Sequence, residues 1–184
     1  MNERVVVVNA GKMNYDHLLD FSVLSNDVQV YDDSTNAELI ERIQGATVVV
    51  TKEIPVGPEL LSQFPDSVKL IVEAGTGYNN IDLDAARAKG ITVCNIPAYS
   101  TERVAHTAIM MLLNFASTMQ QQIGMLARGD RSNFTKHLQV PHTEVNGKTL
   151  GIIGAGHIGM AVVKVARALD MNILIHTRTP KEDS

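Results

Sequence analysis

Three glycines near the end of the sequence have the spacing of a turn that binds phosphate groups. Gly154, Gly156 and Gly159 form the pattern G-x-G-x-x-G, which follows the apolar run Thr149–Ile153 and opens a helical pattern. In this context the first glycine permits a tight turn, the second lets the main chain approach a pyrophosphate, and the third lets the helix pack closely on the strand. The first amide groups of the helix also offer donors and the positive end of the helix dipole. We therefore predict a dinucleotide-binding turn, with contacts from Gly154, Gly156, His157, Ile158 and Gly159; the alternative is a glycine-rich turn that only packs.

The residues after the next apolar run, Asn172–His176, indicate which dinucleotide would bind. An acidic residue about 20 positions beyond the glycines binds the ribose 2′-hydroxyl of NAD, whereas an arginine accommodates the 2′-phosphate of NADP. Here the run is followed by Thr177, Arg178 and Thr179, with no Asp or Glu among them. The hydroxyls can donate to phosphate oxygens, and the guanidinium can pair with them as a fork. The pattern favours NADP over NAD; the alternative is that Arg178 is a solvated surface charge.

The elements that must position these residues alternate between strands and helices. Short β-branched runs occupy residues 4–9, 28–31, 47–50, 69–73 and 92–94, and helical patterns occupy residues 15–24, 35–44, 57–64 and 82–89. This alternation predicts an α/β domain over residues 1–100, with a flavodoxin-like parallel sheet covered on both faces. Ligands of such sheets bind beyond the carboxyl ends of the strands. The loops of interest are therefore residues 10–14, 52–58, 74–80 and 95–100.

A long helical pattern separates this domain from the glycine-rich turn. It extends over residues 101–128, begins near the capping residues Ser100 and Thr101, and is long enough to link two domains. Residues 129–148 are polar and irregular, and residues 149–184 begin a strand, helix and strand pattern. We predict that residues 129–184 are a linker and the start of a Rossmann dinucleotide-binding domain.

Composition and charge exclude several classes of protein. The 184 residues are 45% hydrophobic and 20% charged, which is typical of a globular protein with a core. The net charge of −4 argues against a nucleic-acid partner. The single cysteine, Cys94, excludes an internal disulfide framework and a thiolate zinc site, and it favours a cytoplasmic location. Polar residues interrupt the apolar stretch at residues 104–127, so no membrane span is expected.

Three segments together carry a resemblance to a known family. They are VEAGTGYNNID at residues 72–82, NIPAYSTERVA at residues 95–105 and NGKTLGIIGAGHIG at residues 146–159. With these segments the chain resembles the D-isomer-specific 2-hydroxyacid dehydrogenases, which include glyoxylate and hydroxypyruvate reductases, D-lactate dehydrogenases and phosphoglycerate dehydrogenases. The pair His157 and Ile158 resembles the D-lactate dehydrogenase variant of the turn, whereas the threonines around Arg178 resemble the NADP-using reductases. These two features do not select one substrate.

The resemblance implies a substrate-binding first domain, a cofactor-binding second domain and hydride transfer between a nicotinamide and a 2-oxo or 2-hydroxy acid. It implies that main-chain N–H groups bind the substrate carboxylate in the loop of Ala74, Gly75, Thr76 and Gly77, where small residues permit close approach; the alternative is a plain turn. By their position on the linking helix, Thr107 and His106 would lie near the nicotinamide. Lys52 is either an additional cation near the acid or a solvated surface charge.

The family's catalytic groups, an Arg and a Glu–His pair in the cofactor domain, match no residue of this sequence. None of the histidines, at positions 17, 106, 137, 142, 157 and 176, has the family's catalytic position. We therefore assign no catalytic residue, and we expect an N-terminal portion of a dehydrogenase that is inactive alone. The alternative is a truncated paralogue that binds nucleotides or dimerises without catalysis. A further alternative is an unrelated flavodoxin-like protein that binds flavin.

A cofactor domain of only two strands and one helix would leave apolar surface uncovered. Such surface favours association with a second copy. We therefore expect a homo-oligomer that forms through exposed apolar surface.

Overall fold

The chain folds into two compact units, residues 1–99 and 100–184, in a computed structural model that describes residues 3–178. Unit 1 contains five strands: β1 (Arg4–Val7), β2 (Asp27–Val30), β3 (Val48–Thr51), β4 (Leu70–Glu73) and β5 (Thr92–Asn95). All neighbouring strands are parallel, in the order β2-β1-β3-β4-β5. The predicted α/β fold with a flavodoxin-like parallel sheet is confirmed.

The central strands of unit 1 are apolar on both faces because both faces are covered. Val6 and Val8 pack in the larger buried cluster, with Leu39, Ile43 and Leu61 from the surrounding helical segments. Val5, Val7 and Val50 pack in a smaller cluster on their own. Successive side chains of a strand point to opposite faces, so a near-continuous valine run is what a doubly covered strand requires.

Three helices of unit 1 form where the sequence predicts them. They are α1 (Asn36–Arg42), α2 (Pro58–Ser62) and α3 (Leu83–Ala88), each one or two residues shorter at either end than the pattern. A capping box with Glu38 begins α1 at Thr35, and the hydrogen bonds from the main chain and hydroxyl of Thr35 lower the pKa of Glu38. Asp82 caps α3 by accepting a hydrogen bond from the main-chain N–H of Ala85.

The predicted helix over residues 15–24 is wrong. The structure has turns there, followed by one short 3₁₀ segment, Phe21–Leu24. The side chain of Asn14 accepts from the N–H of Leu19 and donates to its carbonyl oxygen, and Asp20 accepts from the N–H of Ser22. These bonds occupy main-chain groups that a helix would need, which is how Asn and Asp compete with helices.

Unit 2 contains four helices and a two-stranded parallel sheet within its described residues. The helices are α4 (Thr101–Ser117), α5 (Met119–Ala127), α6 (Ser132–Thr135) and α7 (His157–Ala168), and the strands are β6 (Thr149–Ile153) and β7 (Asn172–His176). Its core joins Ala105 and Ile109 of α4 to Val162 of α7. In the part of the chain that the structure describes, no helix is both long and apolar enough to cross a membrane.

The prediction of one continuous helix over residues 101–128 is also wrong. Thr118 has a left-handed backbone, with φ of 52°, and separates α4 from α5. The carbonyl oxygen of Ala116 accepts from the main-chain N–H of Thr143 at 2.8 Å, and the hydroxyl of Thr118 donates to the carbonyl oxygen of Pro141. The polar segment after α6 therefore forms hydrogen bonds with Ala116 and Thr118, where a continuous helix would form its own main-chain hydrogen bonds.

Candidate functional site

The glycine-rich turn of unit 2 joins β6 to α7. Gly154 follows β6 with φ of 97°, a backbone conformation that favours glycine. Its N–H donates to the carbonyl oxygen of His176 at 2.8 Å, so the turn begins beside the end of β7. The helix then starts at His157, with Gly156 as its N-terminal cap residue. This is the strand, turn and helix context that a dinucleotide-binding turn requires.

The structure gives Gly159 and Gly156 different roles. A Cβ at Gly159 would lie 2.1 Å from the main-chain oxygen of Gly154, so only glycine allows the helix to pack on the turn. A Cβ at Gly156 would have no protein atom within 4 Å. The space beside Gly156 is open, as it must be if the main chain is to approach a pyrophosphate.

The first turn of α7 suits an anion. No side chain caps this end of the helix, and its first turn contains no acidic residue. The N–H groups at the start of a helix have no partner inside the helix, and they carry the positive end of its dipole. The predicted contacts His157 and Ile158 lie in this turn, so their amides are placed to donate to phosphate oxygens.

The predicted selectivity residues follow β7 directly. Because Gly154 is hydrogen-bonded to His176, Thr177 and Arg178 continue the chain from the edge at which the turn lies. Arg178 is exposed. Thr179, the third predicted contact of this group, lies outside the described residues.

The loop at residues 74–77 extends from the carboxyl end of β4 in unit 1, and three of its four carbonyl groups accept hydrogen bonds. The carbonyl oxygen of Ala74 accepts from Lys52 Nζ at 3.2 Å, that of Gly75 from the N–H of Ile96 at 2.9 Å, and that of Thr76 from Asn95 Nδ2 at 2.8 Å. The N–H groups of Gly75, Thr76 and Gly77 donate to no acceptor within residues 3–178. Thr76 and Gly77 are exposed whereas Gly75 is buried, so the loop offers a ligand main-chain donors at its exposed end.

A buried carboxylate, Glu73, holds the base of this loop. Its side chain is 0% exposed. One oxygen accepts from the N–H of Glu53 at 3.0 Å, and the other accepts from Asn80 Nδ2 at 2.9 Å. Asn80 Nδ2 also donates to the carbonyl oxygen of Ile54 at 2.8 Å. Glu73 therefore ties the segment after β3 to the segment after β4, a role that sequence reasoning missed.

Thr107 and His106, predicted near the nicotinamide, both lie on an exposed part of α4. The hydroxyl of Thr107 donates to the carbonyl oxygen of Arg103 at 2.9 Å, and His106 Nε2 lies 3.8 Å from the carboxylate of Glu102. Both contacts are within the helix, and a ligand role for either residue stays a prediction. Among the described residues, no group of three or more His, Cys, Asp or Glu side chains could hold a metal ion.

Comparison with known proteins gives consistent matches. The family model for the D-isomer specific 2-hydroxyacid dehydrogenase catalytic domain matches residues 5–171. The glycerate dehydrogenase of Methylorubrum extorquens is 34% identical over 150 residues, which are 80% of this chain and 48% of that protein. The chain thus spans about half the length of this curated relative.

Two solved structures resemble the chain at 26% identity. One is a D-lactate dehydrogenase from Aquifex aeolicus complexed with NAD and lactic acid, with a TM-score of 0.79 over 97% of this chain and 53% of that one. The other is an NADPH-dependent glyoxylate/hydroxypyruvate reductase from Sinorhizobium meliloti in complex with NADP and malonate, with a TM-score of 0.78 over 99% of this chain and 55% of that one. Such neighbours bind NAD or NADP.

Proposed function

Because the chain belongs to the D-isomer specific 2-hydroxyacid dehydrogenase family, we propose that it provides the binding elements for hydride transfer between a nicotinamide cofactor and a short 2-oxo or 2-hydroxy acid. Residues 1–100 are the substrate-binding domain, residues 101–128 link it to the cofactor domain, and residues 129–184 begin that domain. The observation that carries the proposal is the glycine-rich turn, in which Gly159 is required by packing while the space at Gly156 stays open. A cytoplasmic location, expected from the single Cys94, is part of the same proposal.

The turn and the residues after β7 hold the cofactor in this proposal. A bound nicotinamide dinucleotide supplies or accepts the hydride. The amides of His157 and Ile158 donate to its pyrophosphate, which approaches the main chain at Gly156. Arg178, with Thr177 and Thr179, binds the 2′-phosphate and favours NADP over NAD. Because one solved neighbour at 26% identity contains NAD and another contains NADP, the preference rests on Arg178 and its neighbouring threonines.

Replacement of Arg178 by glutamine is expected to weaken NADPH binding roughly 10- to 100-fold, because a hydrogen bond to a charged group contributes about 1.5–3 kcal/mol. The affinity for NADH should change less than twofold, since NADH lacks the 2′-phosphate. Fluorescence titration of the reduced dinucleotides gives both dissociation constants. Arg167→Gln is the matched control, because Arg167 is exposed at the opposite end of α7 from the turn. Equal loss of NADPH and NADH affinity in Arg178→Gln, or no loss, would contradict the assignment.

The main-chain donors at residues 75–77 bind the substrate carboxylate in this proposal. A carboxylate accepts several hydrogen bonds at once, and neighbouring N–H groups without a protein acceptor, exposed at Thr76 and Gly77, match that capacity. Turnover by the 184 residues alone is not expected, because no histidine of the chain has the family's catalytic position. The proposal therefore concerns binding and orientation of the two reactants.

The chain is also proposed to associate with a second copy through exposed apolar surface. On α4 and α5 that surface includes Met110, Met111, Leu113, Phe115, Ile123 and Leu126. An apolar cavity of about 390 Å³ opens beside it, lined by His106, Ile109, Met110, Leu113, Met119 and Val165 among others. Ile153 and Leu174 of the two-stranded sheet are exposed as well. Apolar surface of this kind marks interaction sites in soluble proteins.

Sedimentation equilibrium at micromolar concentration is expected to show a dimer or a larger species. The double substitution Met111→Asp and Phe115→Asp should shift the chain to a monomer, because both side chains are exposed and the charges would be buried only by association. Phe115 is 84% exposed, so the folded single chain should tolerate the change. A monomeric wild-type chain under these conditions would rule out the association.

A further inference from the structure

We infer that Lys52 is a substrate-binding cation, and that its ammonium group binds the same carboxylate as the main-chain donors at residues 75–77. The inference rests on the proposed function and adds one side chain to a site otherwise built from main-chain groups. With a cation in the site, the ligand is bound partly by charge. The site then selects an anion rather than any group that accepts hydrogen bonds.

Lys52 lies close to the loop at residues 74–77. Lys52 follows β3 directly, and Nζ donates to the carbonyl oxygen of Ala74 at 3.2 Å. Nζ also lies 3.5 Å from the point that a Cβ at Gly75 would occupy. The ammonium is therefore beside the loop that offers the free N–H groups, at the carboxyl ends of β3 and β4, where open α/β sheets bind ligands.

The surroundings of the charge also support the inference. The side chain of Lys52 is 17% exposed, so its ammonium has lost much of its contact with water. The carboxylate of Glu53 is 3.9 Å away and 67% exposed, which is too far for a hydrogen bond and too exposed for a strong ion pair. Glu73, the buried carboxylate of this region, accepts its two hydrogen bonds from Glu53 and Asn80. Its Oε1 lies 3.2 Å from the point that a Cβ at Gly75 would occupy, near Lys52 Nζ but without a direct ion pair between the two in the described residues.

An ammonium carries three N–H donors, and those of Lys52 are only partly used. The bond to Ala74 is of ordinary length, and the second contact, to Tyr99 Oη, is long at 3.4 Å. A poorly hydrated cation is stabilised when an anion comes close to it. A ligand carboxylate bound by the neighbouring amides would supply that anion.

Tyr99 holds the ammonium in place from another side. The centre of its ring lies 5.7 Å from Nζ, within the range of a cation–π contact. Tyr99 is 62% exposed, so its ring does not enclose the ammonium, and the Lys52 side chain keeps 17% of its surface exposed. Lys52 is thus held between the Ala74 carbonyl and an aromatic ring, with donor capacity left for a short carboxylate.

The test is a titration of the 184-residue chain with oxamate, a short 2-oxo monocarboxylate. Binding is measured from the changes in the ¹H–¹⁵N resonances of Thr76 and Gly77. Lys52→Met and Lys52→Gln are compared with the wild type, and the glutamine variant keeps a polar group if methionine disturbs folding. Lys69→Met is the matched control, because Lys69 is exposed and precedes β4 at the opposite end of the strand. The dispersion of each spectrum shows that the variant is folded.

Both Lys52 variants are expected to bind oxamate roughly 10- to 100-fold more weakly than the wild type, the range expected for a charge-assisted hydrogen bond. The dissociation constant of the wild type should also rise more steeply with salt than that of either variant, which a merely structural role of Lys52 would not produce. Folded Lys52 variants that bind as tightly as the wild type would overturn the inference and leave the proposed function intact. A wild-type chain whose loop resonances do not respond to oxamate would overturn the carboxylate site and the inference together.

Discussion

Replacement of Gly159 by alanine is expected to abolish dinucleotide binding and to destabilise unit 2. The added Cβ would lie 2.1 Å from the main-chain oxygen of Gly154 and 3.4 Å from Cγ2 of Ile152. Neither the oxygen nor the helix can yield without moving the turn, so the cost should be about 3 kcal/mol, at the upper end of what overpacking causes. Hydrogen exchange of the amides in β6 and α7 measures the stability, and NADPH fluorescence measures the binding.

Two other glycines of the same region are the controls for this experiment. Gly151→Ala should change neither stability nor binding, because its Cβ would meet no atom within 4 Å in the middle of β6. Gly156→Ala should leave the fold intact for the same reason but weaken NADPH binding at least tenfold, because its Cβ would stand where the pyrophosphate approaches. A Gly159→Ala chain with wild-type protection and wild-type affinity would contradict the packing argument.

Replacement of Glu73 by alanine is expected to lower the free energy of unfolding of unit 1 by roughly 2–5 kcal/mol. It would leave the N–H of Glu53 without its acceptor and Asn80 Nδ2 without one of its two, and a buried unsatisfied donor costs about 1–3 kcal/mol. It would also release the base of the loop at residues 74–77, so oxamate binding should be lost. Urea denaturation followed by circular dichroism measures the stability.

The size of the Glu73 effect depends on its two hydrogen bonds, and two further variants test that point. Glu73→Gln keeps one acceptor oxygen, so its loss should be smaller than that of the alanine variant. Asn80→Ala combined with Glu73→Ala should destabilise less than the sum of the two single changes, because the residues are direct partners. Glu41→Ala is the surface control, since Glu41 is exposed on α1. If Glu73→Ala unfolds at the wild-type urea concentration, Glu73 does not hold the loop.

The sequence predicts the regular elements well where local pattern and burial agree. β6 and β7 have the bounds expected from their apolar runs, Thr149–Ile153 and Asn172–His176. The valines of β1 and β3 indicate strands covered on both faces, and the core confirms this. The glycine-rich turn can also be predicted from the sequence, because each of its three glycines meets a local geometric requirement.

The features that sequence reasoning missed depend on contacts between distant residues or on side chains that bind the main chain. The break at Thr118 follows from the bond between Thr143 and Ala116, which no local pattern records. The role of Glu73 depends on Glu53, 20 residues away. The sequence does raise Lys52 as a candidate cation, but its contact with Ala74, 22 residues away, is visible only in the structure. One signal was present for Glu73: a charged residue that ends the buried run of β4 needs partners if it is to be buried.

Binding of a dinucleotide by the glycine-rich turn is best measured by a ¹H–¹⁵N titration of the 184-residue chain, first with NADPH and then with oxamate. We expect NADPH to shift the amides of residues 154–159 and of Thr177 and Arg178, and oxamate to shift the amides of residues 75–77. Two separate responses would place the dinucleotide in unit 2 and the acid in unit 1. If NADPH leaves the resonances of residues 154–159 unchanged in a folded chain, this turn does not bind a dinucleotide.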